Sequence, residues 1–345
     1  MDANHGGDWA AYELEYGALP LDFSASLSPL GMPETVRRAA EEALQKADRY
    51  PDPYSRKLRA ALSARHGIPA DRIVCGAGAA DLIDRLARVL HPKRALLPAP
   101  TFSEYERALR DVGCAAEQFP LRAETDFALS ESFAEAIEAD TDVVFVCQPN
   151  NPTGLLTPPA VLLRCAERGA TVVVDECFLD LTDEPERFSL VSALADHPKL
   201  VILKAFTKTY AMAGLRLGYA LCGDAELAGR LQRCGQPWPV SVPAEAAGLA
   251  ALQVPDYEEN VRAFLRGERQ RMMAALTALG YRVIPGAANY LLFCSDDPAL
   301  GVRLRRQGIL LRDCRNFAGL EAGWYRAAIR TKSENDALLQ ALREV

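Results

Sequence analysis

The 345-residue sequence has no apolar run approaching the ~20 residues of a membrane-spanning helix. It has no block of Lys or Arg, and its formal charge is -7, which argues against nucleic acid as a partner. It has no Cys-x-x-Cys pair. Its nine cysteines are scattered and odd in number, so neither a zinc site nor a disulfide framework is indicated. They read instead as buried, reduced thiols in a reducing compartment. The opening Met1-Asp2-Ala3-Asn4-His5 has no basic segment leading into an apolar stretch, so no signal peptide is expected. No internal repeat or low-complexity segment is present. A soluble, cytoplasmic protein is the expectation, with no membrane and no nucleic acid among its partners.

What is present is an alternation of helical periodicity with short apolar runs. Helices are predicted at 55–65, 79–90, 102–112 and 158–168. Strands are predicted at 73–75, 95–97, 143–146, 171–174, 200–203 and 217–221. Continuous Val, Ile and Leu runs between helices imply a mostly parallel sheet covered on both faces, an α/β fold. A long helix at 256–279 leads into strands at 282–284, 290–293 and 325–329 and a last helix at 333–343. A chain this long is expected to form a large domain and a smaller α+β one. The division predicted is 51–250 for the large domain, with 1–50 and 251–345 forming the small domain and an N-terminal arm.

Four residues stand out by position. Asn151 lies in the turn Pro149-Asn150-Asn151-Pro152-Thr153-Gly154, and Asp175 closes the apolar run Val172-Val173-Val174. Lys208 comes after the run 200–203 within Ala205-Phe206-Thr207-Lys208, and Arg216 sits in Gly214-Leu215-Arg216-Leu217-Gly218. Each has an ordinary reading: a turn former, a helix cap, a solvated lysine, a surface charge. In this order, beyond the carboxyl ends of parallel strands, they can hold a flat, charged cofactor. Pyridoxal 5'-phosphate offers an aldehyde for Lys208, a ring nitrogen for Asp175, a ring hydroxyl for Asn151 and a phosphate for Arg216. Gly76-Ala77-Gly78-Ala79-Ala80, between a strand and a helix, would offer backbone N–H groups to that phosphate, or simply form a tight turn. Phe102, after Pro98-Ala99-Pro100-Thr101, could face the cofactor ring or belong to the core.

These motifs resemble the fold-type-I pyridoxal-phosphate enzymes, the aspartate aminotransferase superfamily, over nearly the whole chain. Further matching segments are His5-Gly6-Gly7-Asp8, Asp22-Phe23-Ser24-Ala25, Arg49-Tyr50-Pro51-Asp52, Ala288-Asn289-Tyr290 and Tyr325 to Arg330. The resemblance implies that Lys208 bonds covalently to the cofactor and Asp175 meets its ring nitrogen. It implies that Asn151 meets the ring hydroxyl and Arg216 the phosphate, with Thr207, Gly78, Ala79 and Ala80 among the cofactor-binding residues. Tyr50 would reach that phosphate from a neighbouring subunit, implying a homodimer with shared sites.

Within the superfamily the likeness is to the branch that decarboxylates phosphothreonine in cobalamin biosynthesis, a relative of the histidinol-phosphate aminotransferases. Phe178 stands three residues after the aspartate, where many aminotransferases have a tyrosine. The opening His-Gly-Gly is similar to the decarboxylating branch, where a histidine helps hold the substrate phosphate. Arg326 and Arg330, four apart and expected on one strand face, would suit a phosphorylated amino acid carrying both a carboxylate and a phosphate. Ala205 departs from the usual Ser or Thr, and Ser26 from the asparagine of the decarboxylating branch on the substrate side. The expectation is conversion of O-phospho-L-threonine to (R)-1-amino-2-propanol O-phosphate. A histidinol-phosphate type aminotransferase and a phosphoserine decarboxylase are the alternatives.

Overall fold

The computed structural model describes residues 5–345. Its larger sheet has seven strands in the spatial order Ile73–Gly76, Gly218–Cys222, Leu200–Ala205, Thr171–Asp175, Val143–Cys147, Arg94–Ala99, Ala115–Pro120. All neighbours pair in parallel except Gly218–Cys222, which runs antiparallel to both of its partners. The central strands are apolar along their length because both faces are covered. Alternate residues feed two cores: Val144, Val146, Val172, Val174 and Ile202 point into one, and Val143, Phe145, Val173, Val201 and Leu203 into the other.

Six of the seven strands were expected from their apolar runs. The seventh, Ala115–Pro120, was not, because it is an edge strand with little apolar character, half-buried or exposed at every position. Its ladder partner, not its own hydrophobicity, makes it a strand.

A second, four-stranded antiparallel sheet has the order Arg312–Asp313, Trp324–Ala328, Tyr290–Cys294, Arg282–Val283. The 22-residue helix Tyr257–Ala278 precedes it and buries Val261, Leu265, Met272 and Leu276. That spacing is the apolar stripe of an amphipathic helix. The N-terminal segment joins this part of the molecule: Leu21–Asp22 pairs in parallel with Ile309–Leu310, and Ala328 N–H donates to Phe23 O at 2.9 Å. From there the chain crosses toward the larger sheet, where Ser28 N–H donates to Lys208 O at 2.9 Å.

Among the described residues no helix is long and apolar enough to cross a membrane, and no His, Cys, Asp and Glu cluster could hold a metal ion. The nine cysteines are free, seven of them buried.

Candidate active site

Parallel pairing puts the carboxyl ends of three strands side by side, with Cys147 opposite Asp175 and Asp175 opposite Leu203. The segments leaving those ends are therefore gathered at one edge of the sheet. The turn after Val143–Cys147 carries Asn151. Asp175 is the last residue of its own strand. The strand Leu200–Ala205 passes directly into the short helix Phe206–Thr209, which holds Lys208. These residues line a cavity of about 410 Å³ together with His5, Ser26, Ala79, Ala80, Phe102, Phe178, Thr207, Arg216 and Arg326.

The electrostatics of this cavity are asymmetric. Burial pushes the Lys208 amine down from its ordinary value to about 8, and the positive charges of Arg326 and Arg216 add to that. A neutral amine is the nucleophilic form. The Lys208 Nζ lies 5.3 Å from the centre of the Phe178 ring, a face without a hydroxyl. Phe178 in turn packs edge-on against Tyr290, with ring centroids 5.1 Å apart. Asp175, which also lines the cavity, is buried and held at both oxygens. The Tyr105 hydroxyl donates to Oδ2 at 2.7 Å and the Cys177 N–H to Oδ1 at 3.0 Å.

Gly78 ends the strand-to-helix turn with φ +87°, and the helix Ala79–Leu90 begins without a side-chain cap, leaving its first N–H groups for another acceptor. A Cβ on Gly78 would lie 2.8 Å from Arg216 Nη2, so the guanidinium and the bare turn form one concave surface. Gly218 serves the same closeness from the other side, since a Cβ there would meet Ala79 N at 2.7 Å. A helix N-terminus beside an arginine is an anion cradle.

At the other end of the cavity, Arg326 is buried. It donates to Asn151 Oδ1 and, at 3.0 Å, to Ser24 O, while its Nε has no protein partner. Ser26 is 1% exposed and its hydroxyl has no partner either. Arg326 and Ser26 thus bring two buried donors to the cavity wall. His5 closes this end, its Nε2 2.9 Å from Glu104 and its ring 6.1 Å from that of Phe102. The arm lies flat because a Cβ on Gly6 would collide with Ser24 O at 2.0 Å, and Gly7 N–H donates to Ser24 Oγ at 2.8 Å.

Two expected residues are placed elsewhere. Tyr50 is 79% exposed and stacks on Trp238 with centroids 4.4 Å apart, away from the cavity of its own chain. Arg330 is a correction. The strand ends at Ala328, so the alternation that would set Arg330 on the face of Arg326 does not reach it. Its guanidinium donates to Asp22 O at 2.8 Å and to Glu334 at 2.5 Å, and it does not line the cavity. The arginine that joins Arg326 in the cavity wall is Arg312, paired with it across the antiparallel ladder. Arg312 is buried over the Phe317 ring, 5.2 Å from its centre, and donates to Asn316 Oδ1 at 2.8 Å. No spacing in the sequence links 312 to 326; only the strand register does. Tyr105 was likewise unmarked, lying within the helix expected at 102–112.

Residues 20–342 match the family described as aminotransferase class I and II. The chain is 40% identical to the threonine-phosphate decarboxylase of Salmonella typhimurium, covering all of this chain and 97% of that protein. It is 33% identical to histidinol-phosphate aminotransferase 1 of Cupriavidus pinatubonensis, covering 91% of this chain and 85% of the relative. Among solved structures, the histidinol-phosphate aminotransferase of Clostridium acetobutylicum superposes with a TM-score of 0.86. It is 27% identical, covering 93% of this chain and 98% of that one. The chain belongs to the aminotransferase class I and II family, pyridoxal-phosphate enzymes of fold type I.

Proposed function

We propose that the protein decarboxylates O-phospho-L-threonine, releasing CO2 and (R)-1-amino-2-propanol O-phosphate, in cobalamin biosynthesis. The carrying observation is that Arg326 and Arg312, adjacent across one ladder, line the same cavity as Lys208 and Asp175. A substrate with a carboxylate and a phosphate needs two cationic positions, and the arginine pair with His5 offers them. The 40% identity to a threonine-phosphate decarboxylase supports the same reading.

The residues present fit pyridoxal phosphate. Arg216 and the bare turn at Gly78 would hold its phosphate, with Thr207, Ala79 and Ala80 beside it. Asn151 would meet its ring hydroxyl, Asp175 its ring nitrogen, and Phe102 its face. When bound, the group supplies an aldehyde for amines and a conjugated ring that accepts the electron pair left at the substrate Cα.

The chain's own part is orientation and proton handling. Arg326 and Arg312 grip the two anionic ends of the substrate, with His5 and Ser26 at the same end. That grip would decide which bond at the substrate Cα is presented for cleavage. Asp175, held by two donors, keeps a proton on the group that faces it. Lys208, with its lowered proton affinity, can give a proton to Cα after CO2 has left. Phe178 places a hydrophobic face where a hydroxyl would add another donor.

The larger unit, 51–250, carries most of the cofactor residues, and 1–50 with 251–345 are assigned to the smaller unit. The pairing of Leu21–Asp22 with Ile309–Leu310 supports this for the N-terminal strand, whereas the helix Glu34–Ala43 packs against Val242–Ala251 of the larger unit. Exposed Tyr50, stacked on Trp238, is the residue we assign to the partner's site in a homodimer. Free thiols throughout fit a reducing cytoplasm.

One assay tests the reading. Purified protein is supplied with phosphothreonine, phosphoserine and histidinol phosphate, and CO2 and keto-acid products are read separately. CO2 from phosphothreonine is expected. Amino transfer to 2-oxoglutarate with no CO2 would replace this reading by the aminotransferase one, and a preference for phosphoserine would redirect it to that substrate.

A further inference from the structure

We infer that Tyr105 is a positioning residue: its hydroxyl, donated to Asp175 Oδ2 at 2.7 Å, fixes where that carboxylate points and how strongly it attracts a proton. The inference rests on the proposed role of Asp175 toward the cofactor ring nitrogen.

Tyr105 is completely buried in the helix Glu104–Asp111. Its ring stacks on Phe145, with centroids 5.1 Å apart and planes 18° apart, and meets Phe102 edge-on at 5.5 Å. The phenol therefore cannot turn away from the acid without losing both contacts. Burial and the neighbouring Asp175 charge hold the phenol well above its ordinary ionisation range, so it stays a donor at every working pH. The Cys177 N–H, at 3.0 Å, serves the other oxygen. One donor on each oxygen leaves lone pairs free toward the cavity, which Asp175 lines. The charge of Asp175 also reaches Cys147, Cys177, Tyr290 and Lys208, each within its electrostatic range.

A hydrogen bond donated to a carboxylate lowers its proton affinity. Tyr105 therefore favours the proton on the group that Asp175 faces, not on Asp175 itself. Tyr105→Phe removes that donor, so the carboxylate should gain proton affinity. The pH midpoint of the visible absorbance of the holoenzyme should then shift, because a bound ring nitrogen would share its proton with a more basic carboxylate.

The test has two arms. In cofactor-free protein, the Asp175 carboxyl is titrated by carbon NMR; in holoenzyme, the visible band is titrated. Tyr105→Phe should raise the carboxyl midpoint and shift the visible one, and 3-fluorotyrosine at 105, a stronger donor of nearly the same shape, should move both the opposite way. A residue that merely fills space would leave the fluorotyrosine protein unchanged. Midpoints equal to wild type in both proteins would overturn the inference. Failure of the wild type to take up pyridoxal phosphate would overturn the proposed function instead, and the cofactor-free titration would still decide the role of Tyr105.

Discussion

Arg216 occupies the space that a side chain at Gly78 would need, its Nη2 2.8 Å from the position of an added Cβ. Gly78 also has φ +87°, a region costly for any other residue. Gly78→Ala should therefore displace the guanidinium from the anion cradle and strain the turn. Cofactor affinity should fall about tenfold or more, with a stability loss of roughly 1–2 kcal/mol. Equilibrium dialysis and thermal unfolding of the cofactor-free protein separate the two effects.

Attachment of the cofactor should follow the Lys208 amine. Its affinity for protons is lowered to about 8, and only the neutral amine attacks an aldehyde. The rate at which cofactor-free protein becomes reducible by borohydride should rise as pH climbs through about 8 and level off above it. An unperturbed lysine would keep rising toward 10.5, its ordinary value. Lys208→Ala should abolish both trapping and turnover.

Arg312 and Arg330 should separate cleanly. Arg312→Gln should raise the KM for a phosphorylated substrate at least about tenfold, since it removes a cation from the cavity wall. Arg330→Gln should leave KM close to wild type. It breaks a partly exposed brace to Asp22 and Glu334, at a stability cost of about 1 kcal/mol. Steady-state kinetics beside urea denaturation give both numbers. A large KM effect confined to Arg330 would reverse the assignment.

Behind the lysine helix, the buried Lys204 lies 2.8 Å from Asp180 and 3.4 Å from the buried Glu176. Lys204→Met leaves these acids without their cation and should cost about 3–5 kcal/mol. The same group sets a pH limit. Burial alone would raise the Asp180 carboxyl, but the charge and hydrogen bond of Lys204 outweigh it and hold the group below its ordinary 3.8. Its stabilisation is present above that pH and lost as pH falls through the lower, folded value. The deficit of Lys204→Met, read by urea denaturation, should therefore be largest near neutral pH and narrow as acid protonates the two carboxyls.

If Tyr50 completes the site of a partner, two defective chains should complement each other. Lys208→Ala mixed with Tyr50→Ala should recover up to about a quarter of the wild-type sites after subunit exchange, through dimers holding one intact site. No recovery after verified exchange would place Tyr50 outside the partner's site.

Much of the larger sheet was legible because its strands are buried on both faces and each announces itself as an apolar run. Val143–Cys147, Thr171–Asp175 and Leu200–Ala205 needed no tertiary information. Asn151, Asp175 and Lys208 were legible for a related reason. Each comes at or just after such a run, and parallel pairing brings the ends of such runs to one edge. Ala115–Pro120 was silent because an edge strand can be polar. Arg330 was misplaced because alternation holds only while the strand lasts, and this one ends at Ala328.

Reading along the chain was enough to bring Lys208, Asp175, Asn151 and Arg216 to one cavity, since each sits a few positions from a strand that local hydrophobicity defines. The identity of the arginine beside Arg326 was out of reach of such reading, because the register between 312 and 326 depends on pairing between separate strands. So was the meeting of the Tyr105 phenol with Asp175, 70 positions away. Local patterns specify what an element is, whereas the packing of elements against one another specifies which side chains meet.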